Sequence, residues 1–161
     1  MKIFKVTNDK SIWRGPLPKT ENDFRLLKDF EFPSEYGSPG FKTILNLQSF
    51  GDTEELENLL ELGWNWHLFD LDIPGYFFPK RRSIETALLI LQNAELPIYI
   101  HCRHGRERTG LIVAAYRIRV EGWPVQAAYD EMVKMGCRAP HKWFYKNILK
   151  RVKNCGLLKY G

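Results

Sequence analysis

The sequence predicts an α/β fold in which helices flank a central, mostly parallel sheet of about four to five strands. Short runs rich in isoleucine and leucine alternate with segments of helical periodicity, which is the pattern of this class. The chain has 161 residues, of which 44% are hydrophobic and 27% charged, the balance of a globular protein. No internal repeat or linker is visible, so we expect residues 1–161 to form a single domain.

The first half of the chain supplies two predicted strands, over residues 41–47 and 66–73. Between them, residues 53–62 have helical periodicity and begin with a threonine, a favoured N-cap, and a glycine follows at the C′ position. Residues 74–79 contain two prolines and a glycine, which indicates a loop.

The second half of the chain continues the alternation. Ser83 is placed to cap a helix that runs to about Asn93. Residues 96–101 are almost all apolar, as expected of a parallel strand buried on both faces. A long helix is predicted from Thr109 to about Val120.

Two more helices are predicted near the end of the chain. One occupies residues 124–136, with proline at its start and glycine at its end. The other is basic and amphipathic over residues 140–152, and we expect Trp143, Ile148 and Val152 to face the core.

The connection between the strand at 96–101 and the helix from Thr109 carries most of the reactive side chains. It contains His101, Cys102, Arg103, His104, Gly105, Arg106, Glu107 and Arg108. A helix N-terminus presents backbone N–H groups without intrahelical partners and the positive end of the helix dipole, so it binds anions. Gly105 permits a turn that directs backbone amides inward, and Arg108 offers a planar fork for two phosphate oxygens. The connection therefore predicts a phosphate site.

Cys102 lies at the start of this site. The thiolate is the nucleophilic form of cysteine, and a helix N-terminus with nearby arginines favours it. Facing a bound phosphate, it is placed for in-line attack through a phosphocysteine that water then hydrolyses. A lone cysteine is more often a small buried apolar residue, but that reading does not explain the basic neighbours.

The motif resembles the signature of the cysteine-dependent protein tyrosine and dual-specificity phosphatases. The match includes Cys102, five intervening residues and Arg108, with His101 before them and Thr109-Gly110 after. Residues 12–18 are similar to the Arg-Gly-x-x-Pro segment of compact bacterial and fungal members. The resemblance implies a protein-tyrosine-phosphatase-like fold and phosphomonoester hydrolysis without a metal ion or other cofactor.

The resemblance also implies roles for four residues. Cys102 would be the nucleophile, and Arg108 would bind phosphate in the ground and transition states. Thr109 would donate a hydrogen bond to the thiolate, and His101 would hold the loop from behind rather than bind metal.

The family uses an aspartate on a separate loop as general acid, about 30 residues before the cysteine. Asp72 and Asp70 both fit this spacing, and an extended strand would place them on one face. We favour Asp72 because it lies nearer the loop at 74–79. The alternative is that Asp72 only ends the strand and that water or Glu107 supplies the proton.

The cations in the loop bear on the substrate. Phosphatases of the tensin type, which act on phosphoinositides, carry basic residues at the positions of Arg103 and Arg106, and here His104 and Glu107 fill two other loop positions. The basic run at 80–82 is a further candidate for the rim. We therefore expect an inositol polyphosphate or phosphoinositide substrate.

Other functions remain open. The aromatic residues 76–78 are candidates for the walls of a phosphotyrosine pocket, which would make the protein a dual-specificity phosphatase. An RNA 5′-triphosphatase and a phosphate-binding module without turnover are further alternatives. No RNA-binding motif is recognisable, so nucleic acid is not an expected partner. Without an apolar span or a secretory signal, we expect a cytoplasmic monomer with no transmembrane segment.

Overall fold

A five-stranded sheet forms the centre of the protein. The computed structural model describes residues 1–7, 12–32, 36, 39–48, 67–71, 79–138 and 142–154. Within them the strands are β1 Phe4–Lys5, β2 Ile12–Pro16, β3 Thr43–Asn46, β4 His67–Asp70 and β5 Ile98–Cys102. The order across the sheet is β1-β2-β5-β3-β4. Only β1 and β2 pair antiparallel among these strands, so the predicted α/β class and mostly parallel sheet are confirmed.

Five helices accompany the sheet in the described residues. They are α1 Glu21–Lys28, α2 Arg81–Asn93, α3 Glu107–Arg119, α4 Val125–Lys134 and α5 Lys142–Asn154. Of these, α3 is buried almost all round, since ten of its 13 residues are buried. It packs against α2, α4 and α5, and thus forms the central helix of the protein.

The two faces of β5 contact different apolar clusters. Ile98 and Ile100 belong to the larger cluster, which includes residues of α2, α3, α4 and α5. Tyr99 belongs to a smaller, aromatic cluster with Phe24 of α1 and Phe41. All five residues of β5 are buried, which explains why its sequence is almost continuously apolar.

The N-terminus of α1 is closed by a capping box. Thr20 Oγ1 accepts a hydrogen bond from the Asp23 N–H, and the Asp23 carboxylate accepts one from the Thr20 N–H. Partial burial tends to raise the pKa of Asp23, but hydrogen bonds from the Met1 amino group and the backbone of Lys19 and Thr20 lower it to about 2. The ionised carboxylate therefore stabilises the start of α1.

Two predicted helix starts were wrong. Lys80 is the N-cap of α2, and Ser83 lies inside the first turn. The Arg81 guanidinium contacts the Glu85 carboxylate at 2.6 Å one turn later, which stabilises a start without a side-chain cap. The central helix α3 begins at Glu107 instead of Thr109, because an acid in the first turn suits the positive end of the helix dipole.

The apolar stripe of α5 was also predicted incorrectly in part. Trp143 is 76% exposed, whereas Tyr145, Leu149 and Val152 are buried. These three residues are spaced four and three apart and share one face of the helix. Ile148 is partly buried against the same core.

Several predictions fall outside the described residues. They concern the helix at 53–62, the glycine after it, both ends of the strand at 66–73, Asp72 and the loop at 74–78.

Candidate active site

Three parallel strands end together beside the reactive loop. In the register of the sheet, Pro16 of β2 lies opposite Cys102, and Asn46 of β3 lies opposite His101. In open α/β sheets, ligands bind beyond the carboxyl ends of the strands, where helix N-termini also converge. Cys102 is the last residue of β5, and α3 begins only five positions later.

Cys102 is almost inaccessible in this position. Its exposed fraction is 3%, and it forms no disulfide. The backbone N–H groups in the first turn of α3 have no partner within the helix, and the helix dipole places positive potential at the same point. A negatively charged sulfur or phosphate is therefore stabilised at this end of α3.

Gly105 lets the loop pack directly on the end of β2. Its φ of +66° lies in the left-handed region, and a Cβ there would overlap the Gly15 carbonyl oxygen and lie 2.9 Å from the Pro16 nitrogen. The turn expected at this glycine is present. Because Gly105 has no side chain, the backbone of the loop can also lie directly against the backbone of β2. The sequence did not indicate this contact.

Arg14 holds the same loop from the interior. The residue is 3% exposed, and its Nη2 donates a 2.7 Å hydrogen bond to the Gly105 carbonyl oxygen. Burial lowers the pKa of Arg14, while Coulombic interactions with Glu131 and then Cys102 oppose this shift. A buried cation thus supports the shape of the loop.

Glu131, whose charge acts on Arg14, also forms a part-buried ion pair with Arg117. The Glu131 carboxylate accepts two hydrogen bonds from Arg117, at 3.1 and 2.8 Å, and so joins α4 to α3. Arg117 also donates to Glu121 at 2.7 Å and lies over the Trp123 ring. This network fixes the helix whose N-terminus forms the site.

Arg14 was not assigned a role by sequence reasoning. It lies in the segment at 12–18 that resembles the phosphatase family, and an arginine within a strand whose other side chains are apolar was the available signal. Tyr145 of α5 was also missed. Burial raises the pKa of its phenol, with smaller contributions in the same direction from Cys137, Glu107 and Cys102, and Tyr145 belongs to the same core cluster as Cys102.

Arg108 and Thr109 lie in the first turn of α3. Arg108 is half-buried, and its Nη1 donates to the Leu47 carbonyl oxygen at 3.2 Å, just after the end of β3. Thr109 is fully buried, and its hydroxyl makes no hydrogen bond to Cys102 or to any other described residue.

His101 is buried behind the loop. Its ring stacks on Tyr99, with centroids 5.5 Å apart and an interplanar angle of 25°. The Tyr99 hydroxyl donates to the Pro16 carbonyl oxygen at 2.6 Å. These contacts join the ends of β5 and β2.

The remaining predicted site residues differ in exposure and lie in different parts of the structure. Arg103, His104 and Arg106 are exposed on the loop, and Glu107 is half-buried. Of the two acid candidates, Asp72 is not described, whereas the backbone of Asp70 ends β4 opposite Asn46. The basic run at 80–82 begins α2, and its Arg81 lines a separate cavity with Arg119 and Arg151.

Within the described ranges, no three histidine, cysteine or acidic residues are grouped as a metal site. None of the helices described is both long and apolar enough to cross a membrane.

The chain matches known phosphatases in sequence and fold. Residues 78–139 match a model described as the tyrosine phosphatase family. A stretch of 56 residues is 54% identical to the dual specificity protein phosphatase TpbA of Pseudomonas aeruginosa, and covers 34% of this chain and 26% of that protein. Identity to the inositol diphosphatase DSP3 of Arabidopsis thaliana is 27%, over 90% of this chain and 66% of the relative.

A solved structure confirms the fold. The core catalytic domain of the S. cerevisiae PP-IP phosphatase SIW14 has a TM-score of 0.71 and 24% identity, over 94% of this chain and 90% of that chain. The matches to the Pseudomonas relatives span only about a quarter of those proteins' length. In part of its sequence and in its fold, the chain is thus similar to the cysteine-dependent tyrosine and dual-specificity phosphatases.

Proposed function

We propose that this protein hydrolyses phosphomonoesters through a phosphocysteine on Cys102. One observation carries the proposal: Cys102 ends β5 beneath the N-terminus of α3, whose first turn contains Arg108. A nucleophile, positive backbone potential and a bidentate cation thus surround one position. We call residues 102–109 the phosphate loop.

The reaction has two steps. The Cys102 thiolate attacks phosphorus, the ester P–O bond breaks, and the leaving oxygen takes a proton from a general acid. Water then attacks phosphorus, the S–P bond breaks, and inorganic phosphate and the thiolate are released. Arg108 and the loop amides stabilise charge on the equatorial oxygens in both steps. Thr109 is the proposed donor to the departing thiolate.

Asp72 is the proposed general acid, and Asp70, the last residue of β4, is the alternative. The end of β4 lies at the same edge of the sheet as the end of β5, with β3 between them. We expect Asp72→Asn to reduce kcat strongly for an alkyl phosphate and little for para-nitrophenyl phosphate, whose leaving group needs no proton. The same pattern in Asp70→Asn instead would assign the acid to Asp70, and its absence in both variants would favour water or Glu107.

The preferred substrates in this proposal are inositol polyphosphates or phosphoinositides. Arg103, His104 and Arg106 are exposed on the loop, where they are available to further phosphate groups. Relatives over most of the chain are named inositol diphosphatases. A dual-specificity protein phosphatase is the second candidate, because a stretch of 56 residues is 54% identical to TpbA.

A phosphate-release assay on a substrate panel tests the function. The panel contains inositol polyphosphates, phosphoinositides, phosphotyrosine and phosphoserine peptides, and RNA with a 5′-triphosphate. Wild type should release phosphate from at least one monoester, and Cys102→Ser should be folded but inactive. Activity retained in Cys102→Ser would contradict the covalent mechanism, and an inactive wild type would leave a binding module. Preference for the RNA would favour the triphosphatase.

A further inference from the structure

We infer that a groove beside the phosphate loop binds a second phosphate group of the substrate. The groove has a volume of about 880 Å³. Its walls come from four parts of the chain: the N-terminal residues, the end of β2 with the segment that leads into α1, the loop at 103–106, and the end of α4. We call it the side groove.

The side groove is lined by cationic side chains that form no ion pair with an acid in the part of the chain that the structure describes. Lys19, Arg103, Arg106 and Lys134 line it, all four are exposed, and none is ion-paired with a described residue. Asp23 also lines it, but this carboxylate is engaged by the Met1 amino group and the α1 cap. Like charges around one cleft repel each other until an anion binds between them.

Several arginines elsewhere in the protein are paired. Arg25 contacts Glu21 at 2.6 Å, and Arg117 contacts Glu121 and Glu131. The cations of the side groove differ from other exposed cations because they line one cleft from separate parts of the chain.

The side chain of Arg106 lies on the side-groove face of the phosphate loop, away from the reacting phosphate. A Cβ placed on Gly136 would lie 3.3 Å from Arg106 Cδ, so the arginine stem extends across this glycine at the end of α4. Its guanidinium thus belongs to the side groove, whose lining includes neither Cys102 nor Arg108. The loop forms the wall between the groove and the reacting phosphate.

These features define the class of ligand. Lysine ammonium groups and arginine forks on separate walls suit a compact ring that carries several phosphates. One phosphate would react at Cys102, and a neighbouring phosphate would lie in the side groove. The inference rests on the proposed function, because it takes the phosphate loop as the reacting site. The basic run at 80–82 is not part of this groove.

A charge-matched pair of variants tests the inference. Lys19→Gln/Lys134→Gln removes two cations from the side groove, and Lys150→Gln/Lys153→Gln removes two exposed cations from α5. Both are made in a Cys102→Ser background and titrated with inositol hexakisphosphate. They are also titrated with phosphatidylcholine vesicles containing phosphatidylinositol bisphosphate. We expect the groove variant to lose about tenfold in affinity at ~0.1 M salt, and the α5 variant less than twofold.

The two titrations distinguish a soluble inositol polyphosphate from a lipid headgroup as the ligand of the side groove. Loss for the soluble ligand assigns the groove to a free inositol polyphosphate, and loss for the vesicles alone assigns it to a lipid headgroup. Either result supports the groove, and the loss should shrink as salt rises. Equal affinities of the two double variants in both arms would overturn the inference.

Turnover measurements on variants that retain Cys102 distinguish a failure of the side groove from a failure of the proposed function. The ratio of kcat/KM for inositol hexakisphosphate to that for para-nitrophenyl phosphate should fall about tenfold in the groove variant relative to the α5 variant. If wild type turns over neither substrate, the proposed function fails, while the titrations still decide the groove. If turnover is normal and neither the ratio nor the affinities change, only the groove fails.

Discussion

Gly105→Ala tests whether the close packing of the loop on β2 sets the geometry of the site. Gly105 and Gly122 both have positive φ, +66° and +74°. A Cβ on Gly105 would overlap the Gly15 carbonyl, whereas a Cβ on Gly122 would meet nothing within 4 Å. Gly122→Ala is therefore the matched control, since it introduces the same backbone strain without the collision.

The expected magnitudes follow from these contacts. An alanine in the left-handed region costs about 1 kcal/mol of stability, and this applies to both variants. At Gly105 the obstacle is backbone of β2, which cannot rotate away as a side chain would, so the loop itself must move. A misplacement of about 1 Å in a reacting group costs on the order of 10²-fold in rate.

Thermal unfolding and steady-state hydrolysis of para-nitrophenyl phosphate make the comparison. We expect Gly122→Ala to lower the free energy of unfolding by about 1 kcal/mol, with kcat/KM within twofold of wild type. Gly105→Ala should lose about 10²-fold in kcat/KM at a temperature where both variants are folded. A Gly105→Ala enzyme within threefold of the control would refute the packing argument.

Three further variants address other parts of the site. Arg14→Met should lower the free energy of unfolding by about 1–3 kcal/mol, because the buried Gly105 carbonyl loses its donor. It should also reduce kcat more than it changes KM. A kcat equal to that of wild type would contradict the role of Arg14. Arg108→Lys should lose at least ~10²-fold in kcat/KM, since an ammonium group cannot form the bidentate fork, and near-normal kinetics would assign phosphate binding to the loop amides alone. The pKa of Asp23 is about 2, below its ordinary value of 3.8, so its contribution of about 2 kcal/mol is complete above pH ~4 and lost as pH falls towards 2. Melting temperatures from pH 6 to 2 should therefore fall less steeply in Asp23→Asn, and parallel curves would contradict the capping interaction.

The reactive loop was predictable because its parts are neighbours in the chain. A buried strand, a glycine turn and a helix start occur within ten residues, and the alternation of apolar runs with helical periods is itself local information. The same holds for the parallel sheet, since strand 98–102 had to be buried on both faces.

The local sequence pattern did not predict burial or a helix start correctly where these depend on contacts with other parts of the protein. On α5, tryptophan and tyrosine both fit an apolar stripe, and only packing against the core leaves Trp143 exposed and buries Tyr145. At the start of α2, Ser83 was an available cap, yet the helix begins at Arg81, whose guanidinium contacts Glu85.

The sequence by itself predicted the α/β class, the glycine turn, and the placing of Cys102 at the end of a strand and Arg108 at the start of a helix, because these depend on short-range geometry. Tertiary structure alone decided what supports and surrounds the phosphate loop. Arg14 reaches Gly105 from 91 positions away, and Lys19 and Lys134 meet Arg106 only when β2, α4 and the loop pack together. Such contacts arise from the packing of elements distant in the chain, and residue spacing along one segment carries no record of them.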